Sequence, residues 1–281
     1  MNGIYQALDA LLPFSCFRMT FMKNALIALL LLTPLLSLLG TMAVNQRMAF
    51  FSDALGHSAL AGVGIGVLLG IQSELVSMLI FGVVWALLIS RINRSGRSSA
   101  DTTISVFSST GIALGLLILS RDGSFSRYSS LLVGDVLAIR PDDIVFLGVA
   151  LIAGLILWAM TYNKLLLTAV SPQLAQSRGV KEKWVEYLFV SMVAVAVMLS
   201  IRWVGVLLIN ALLILPAAAA RNVSRSSARY ALTAVLIGLL SGVGGLVLAY
   251  YLNTGVGAAV VLCAACCYFI SLPVGRWMKI R

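Results

Sequence analysis

Long runs without charge dominate this chain and restrict what it can fold into. Ala25–Val44, Met48–Ser73, Leu75–Ser90, Thr102–Ser120, Ile144–Tyr162, Tyr187–Ile201 and Trp203–Ala220 are uncharged or nearly so. A further run, Tyr230–Gly275, is long enough for two membrane crossings, and "NTGVG" at Asn253–Gly257 is its natural break. A membrane helix needs about 20 apolar residues. Barrel strands would alternate apolar and polar positions, whereas these runs are apolar throughout. The expected fold is all-α and polytopic, with about eight or nine transmembrane helices. Composition removes the soluble alternative. The chain is 60% hydrophobic and 11% charged, against about a quarter charged in a soluble domain.

The runs imply one transmembrane domain over residues 24–281. Residues 1–23, with Phe14, Phe17 and Phe21 set among polar residues, are expected to lie at the membrane interface. The net charge of +10 comes from basic residues between apolar runs, which is the pattern of membrane orientation rather than of nucleic-acid binding. Arg91–Asp101, residues 163–186, Arg221–Arg229 and the C-terminal tail are rich in Lys and Arg, so all four are expected on the cytoplasmic side. Arg121–Asp143 sets three arginines against four aspartates and reads as external. Nine spans then put the N-terminus outside, and eight put it inside. Of the four cysteines, Cys263, Cys266 and Cys267 sit in an apolar run and read as small packing residues.

Chemistry is concentrated in "FFSDALGHSALAGVGIGVLLG", Phe50–Gly70. Asp53 and His57, the chain's one histidine, are four residues apart and share a helix face. Ionisable groups within a span cost ~2.5–3.5 kcal/mol on insertion scales and usually face a cavity or a partner. A carboxylate with an imidazole suits Zn(II), Mn(II) or Fe(II). The same pair also fits two structural readings, a tie between helices and an Asp53 cap of the helix that follows. Ala54, Ser58, Gly62, Gly66 and Gly70 form a small-residue ladder that lets another helix approach closely. It lies about 100° around the helix from the polar pair.

In the loop "VSPQLAQSRGVKEKW" (Val170–Trp184), Ser171 and Pro172 read as a helix start and Gly179 as its stop. The segment is a short amphipathic surface helix or a docking element for a cytosolic partner. In "RWVGVLLINALLILPAAAAR" (Arg202–Arg221), Asn210 and Pro216 interrupt the apolar run, so Asn210 is either packing glue or part of a substrate path. The sequence contains no Walker phosphate loop and no HExxH or nucleophile elbow. Neither an ATPase activity of its own nor an intramembrane hydrolase is expected.

These blocks together resemble the membrane permease subunits of bacterial zinc and manganese ABC importers, over about Phe21–Lys279. The Phe50–Gly70 stretch looks like that family's Asp-x-x-x-His signature, and "LLVGDVLAIRPDD" (Leu131–Asp143) looks like its Gly-Asp-x-Leu segment. "SPQLAQSRGV", "VGVLLINALLILPAAAAR" and "VVLCAACCYFI" follow in the family's order. The resemblance implies the ABC importer permease fold in a bacterial plasma membrane. It implies a homodimer with two cytosolic ATPase subunits, an extracytoplasmic metal-binding protein, and no permanently bound cofactor. ATP would bind only to the partner subunits. Asp53 and His57 would lie on the path of a divalent zinc, manganese or iron ion, with Asn210 and Ser109 as secondary candidates. Ser171, Pro172, Gln173, Leu174, Ala175 and Gly179 would dock on the ATPase. Two departures stand out. Ser109 occupies the place of a second histidine found in some zinc members, and Ser171 and Gln173 replace an acidic pair. An ATP-independent secondary metal transporter is the alternative, but the sequence shows no internal repeat of the kind such carriers use.

Overall fold

In the computed structural model, residues 19–96, 98–121, 125–128, 134 and 136–280 are described. All their regular elements are helical. The main helices are α1 (Thr20–Asn45), α2 (Phe51–Leu68), α3 (Glu74–Asn93), α4 (Ala100–Arg121), α5 (Pro141–Val170), α6 (Pro172–Ser177), α7 (Glu182–Val223), α8 (Ser227–Leu252) and α9 (Val256–Ile280). Eight of these, all but α6, are long and apolar enough to cross a membrane. Most of the expected interfacial segment, residues 1–18, lies outside the described residues, as does part of Leu131–Asp143.

The 42 residues of α7 would make a straight rod of about 63 Å at 1.5 Å per residue, twice the ~30 Å of a bilayer core. They do not form one rod. Gly205 interrupts the helix with φ 76° and ψ 160°, a conformation essentially restricted to glycine. Two legs, Glu182–Val204 and Val206–Val223, result, and each is long enough for a crossing. The sequence puts this break at Arg202, where the charge falls. The backbone puts it three residues later, at the first glycine able to adopt it.

Helix ends follow local chemistry. Ser73 and Ser226 accept hydrogen bonds from the N–H groups of Val76 and Arg229 and start α3 and α8. The N–H of Arg140 donates to the Asp143 carboxylate at 3.0 Å, which fixes the first turn of α5 behind Pro141. At the expected break, α8 ends on Asn253, held left-handed at φ 51°, and α9 begins at Val256.

The chain divides into two compact units. One contains residues 42–133 and 154–202, the other residues up to 41, 134–153 and 203–281. In the first, α2 packs on both α3 and α4. A cavity of about 420 Å³ is lined by Arg47, Arg94, Thr168 and Glu186 among others, so the chain after α1, the ends of α3 and α5, and the start of α7 share one end of this unit. At its other end, Glu74 and Arg202 line a cavity of about 370 Å³. In the second unit, α8 packs on α9. Asn24 donates its side-chain amide to the Ile139 carbonyl at 3.1 Å, which sets the start of α1 beside the start of α5. The Asn222 amide donates to the Ser271 hydroxyl at 2.8 Å, joining the end of α7 to the last turns of α9.

Candidate functional site

Asp53 lies in the first turn of α2 and His57 one turn later. The His57 Nε2 to Asp53 Oδ1 distance is 3.3 Å. The alternative of an Asp53 cap is not realised, because α2 starts at Phe51 and no side chain caps it. Asp53 sits too far inside the turn for that role, and its carboxylate partners the imidazole instead.

The rest of α2 explains why this pair is accessible. From Phe51 to Gly64 every residue except Asp53 and His57 is buried. The small-residue ladder does this in two directions. Gly62 and Gly66 face α3, where a Cβ on Gly62 would meet Met78 and Phe81 and one on Gly66 would overlap Ser77. The Ser77 hydroxyl donates to the Gly62 carbonyl at 2.7 Å. Ser58 instead faces Gly111 of α4, and Ala61 and Leu60 face Gly115. A four-residue step is 400° of turn, so such a row drifts 40° per step and winds from one neighbour to the other. Gly70 lies beyond the helix with open space around it and packs nothing.

Contacts between Ser58 and Gly111, Ala61 and Gly115, and Gly64 and Ile118 run in step, so α2 and α4 are parallel neighbours. His57 therefore lies level with the α4 turn that precedes Gly111. Ser109 is exposed, on the side of α4 away from Gly111. The half-buried Ser108 is on the side that meets α2. Asn210 is half-buried in the second leg of α7 and belongs to the other compact unit. Among the described residues no group of three or more His, Cys, Asp or Glu is placed to hold a metal ion, so the pair offers two strong donors.

The loop helix has the boundaries its sequence implies. Ser171 caps α6 by accepting from the Leu174 N–H at 3.3 Å, and Pro172 occupies the first helical position. At the far end Gly179, at φ 73°, donates to the Gln176 carbonyl while Val180 donates to that of Ala175, both at 2.9 Å. This paired closure requires a left-handed residue. Ala175 is fully buried, and Gln173, Leu174, Gln176 and Arg178 are exposed. Beside it stands a cluster missing from the sequence reading. The Arg94 guanidinium pairs with the Glu186 carboxylate and lies 3.6 Å from that of Glu182. No local signal links residues 92 apart.

Residues 18–275 match the family described as the ABC 3 transport family. The chain belongs to that family. It is 32% identical over 249 residues to the high-affinity zinc uptake system membrane protein ZnuB of Haemophilus influenzae, covering 88% of this chain and 95% of that one. It is 31% identical over 252 residues to the manganese import system permease protein ScaB of Streptococcus parasanguinis, covering 89% of each. Among solved structures it resembles PsaBC from Streptococcus pneumoniae in complex with Fab, with a TM-score of 0.80 and 27% identity over 100% of this chain and 99% of that chain. The ABC 3 chain is thus a multi-pass membrane protein with an ABC permease fold.

Proposed function

We propose that this ABC 3 chain forms the membrane pathway of an ATP-driven importer for a divalent transition metal. Zinc or manganese is the cargo suggested by the relatives, and iron(II) suits the same donors. The observation that carries this reading is the Asp53–His57 pair, half-open on a helix whose neighbouring positions are buried. A carboxylate oxygen and an imidazole nitrogen suit these cations. Two donors hold an ion less firmly than the four of a structural site, which fits a site that must also release its cargo. The proposal rests on Asp53 and His57, since Ser109 is exposed on the side of α4 away from α2.

In this reading the chain works as a homodimer with two cytosolic ATPase subunits, and an extracytoplasmic binding protein delivers the metal. The Ser171–Gly179 helix, with Gln173 and Leu174 exposed, docks on the ATPase, and ATP binds only there. Residues 91–101, 163–186 and 221–229 and the C-terminus lie in the cytoplasm of a bacterial cell, as their basic residues suggest. Nine crossings, counting both legs of α7, leave the start of α1 outside. The Asn24–Ile139 bond supports this, because it pairs that end with the connection read as external.

The test is uptake of radioactive zinc and manganese into vesicles holding the permease with its ATPase and binding protein. Asp53→Ala and His57→Ala complexes are expected to assemble and to lose at least ten-fold in uptake. Undiminished uptake of both metals by both variants would remove the pair from the pathway.

A further inference from the structure

The start of α7, which follows the docking segment in the chain, is fastened to a membrane helix by a charge cluster that the proposed path of metal does not use. Arg94 caps the end of α3. Its guanidinium pairs with Glu186, in the second turn of α7, and approaches Glu182, in the first. One turn back on α3, the Ser90 hydroxyl donates to the other Glu186 oxygen at 2.6 Å. Both carboxylate oxygens of Glu186 are thereby held by α3. Side chains here are mostly shielded, with 22% of Arg94 and 18% of Glu186 exposed, so this is a partly buried charge-assisted pair rather than a screened surface contact. Burial opposes the charge on Arg94, but the bond and attraction to Glu186, together with Glu182 and Tyr187, raise the guanidinium above its ordinary pKa.

The cluster's position gives it mechanical meaning. Arg94 also lines a groove of about 550 Å³ with Gln176, Gly179, Lys181 and Trp184, so it shares that groove with the closing turn of α6. From Arg94, α3 runs back to Met78, Ser77 and Phe81, which are in close contact with Gly62 and Gly66 of α2. The helix that carries Asp53 and His57 is therefore joined through α3 to the first turns of α7, which follow the docking segment in the chain, within one compact unit. Packed helices shift as bodies rather than deforming continuously, so a fixed contact at Arg94 passes displacement on, and a loose one absorbs it.

We infer that Arg94, held by Glu186 and Glu182, is the positioning residue that ties movement of the Ser171–Gly179 docking segment to α3 and so to the Asp53–His57 helix. This rests on the docking role proposed above. Arg94 touches no cargo and no nucleotide. Its effect is on how many ions move per ATP hydrolysed.

The test is metal uptake and ATP hydrolysis measured together, in vesicles holding the complete complex with its ATPase, using zinc and manganese as probes. A wild-type permease that does not co-purify with an ATPase refutes the docking reading itself, independently of Arg94. With assembly established, Arg94→Gln is expected to keep the ATPase bound and hydrolysing, and to lower ions moved per ATP at least five-fold. The exchange Arg94→Glu with Glu186→Arg is expected to recover that ratio to within about two-fold, and it also decides the matter if Arg94→Gln does not assemble. An assembled Arg94→Gln complex with the wild-type ratio overturns the inference. So does an assembled exchange variant with no recovery.

Discussion

Gly111 of α4 lies directly against Ser58 of α2, so close that a Cβ on the glycine would stand 2.7 Å from the serine Cβ. Ser58 is the residue after His57, and the contact fixes how α2 is rotated about its axis. A larger side chain at 111 must push the helices apart, at a cost of ~1–3 kcal/mol for overpacking. Gly111→Val is expected to lower the melting temperature of the purified permease and to reduce uptake with the ATPase still bound. An unchanged melting temperature would contradict the packing described.

Asp53→Asn probes charge rather than shape. The substitution keeps the size and one oxygen acceptor but removes the anion that favours a divalent cation. Uptake is expected to fall at least ten-fold with no loss of complex, as measured by flux into vesicles and by ATPase co-purification. Retained flux would show that the carboxylate does not meet the cargo.

Gly205 holds a backbone conformation that other residues avoid. Gly205→Ala is expected to destabilise the protein by ~1–3 kcal/mol. The checks are the yield of folded permease and its thermal unfolding midpoint. Wild-type values would mean that the break between the legs of α7 does not depend on glycine.

Ser171→Ala removes the α6 cap, worth about 1 kcal/mol. Because α6 has only six residues, the loss is expected to fray it and to weaken ATPase binding about five-fold in titration of the purified subunits. The midpoint of membrane-domain unfolding should not move. A shift in that midpoint with normal ATPase binding would place the role of Ser171 in folding instead.

Sidedness can be checked directly in a variant with its four native cysteines replaced by serine. Gln72 and Gln176 are both exposed. Gln72→Cys is expected to react with a membrane-impermeant maleimide on intact cells, and Gln176→Cys only after lysis. The reverse pattern would invert the orientation drawn from the basic loops.

Much of this was legible in the sequence because the signals are local. Apolar runs of about 20 residues mark spans whatever lies beside them. Ser171–Pro172 and Gly179 bracket α6 through hydrogen bonds that reach no further than five residues. The Asp53–His57 pairing follows from helix periodicity alone. The break in α7 was nearly legible: the run is divided by Arg202, but a charge marks only an interruption in apolarity. The backbone can depart from the helix at Gly205 because no Cβ stands in the way.

What the sequence by itself determined is therefore a membrane-spanning helical chain, the two ends of α6, the break between α8 and α9, and the polar pair in α2. The tertiary structure decided which side of α2 that pair occupies, how the glycine ladder divides between α3 and α4, that Ser109 faces away from α2, and that Arg94 meets Glu186. The reason is physical. Capping and hydrophobicity act along a few residues of backbone, whereas the rotation of a helix in its bundle is set by close contacts with other helices. Those partners, such as Gly111 for Ser58 or Glu186 for Arg94, lie tens of residues away in the chain.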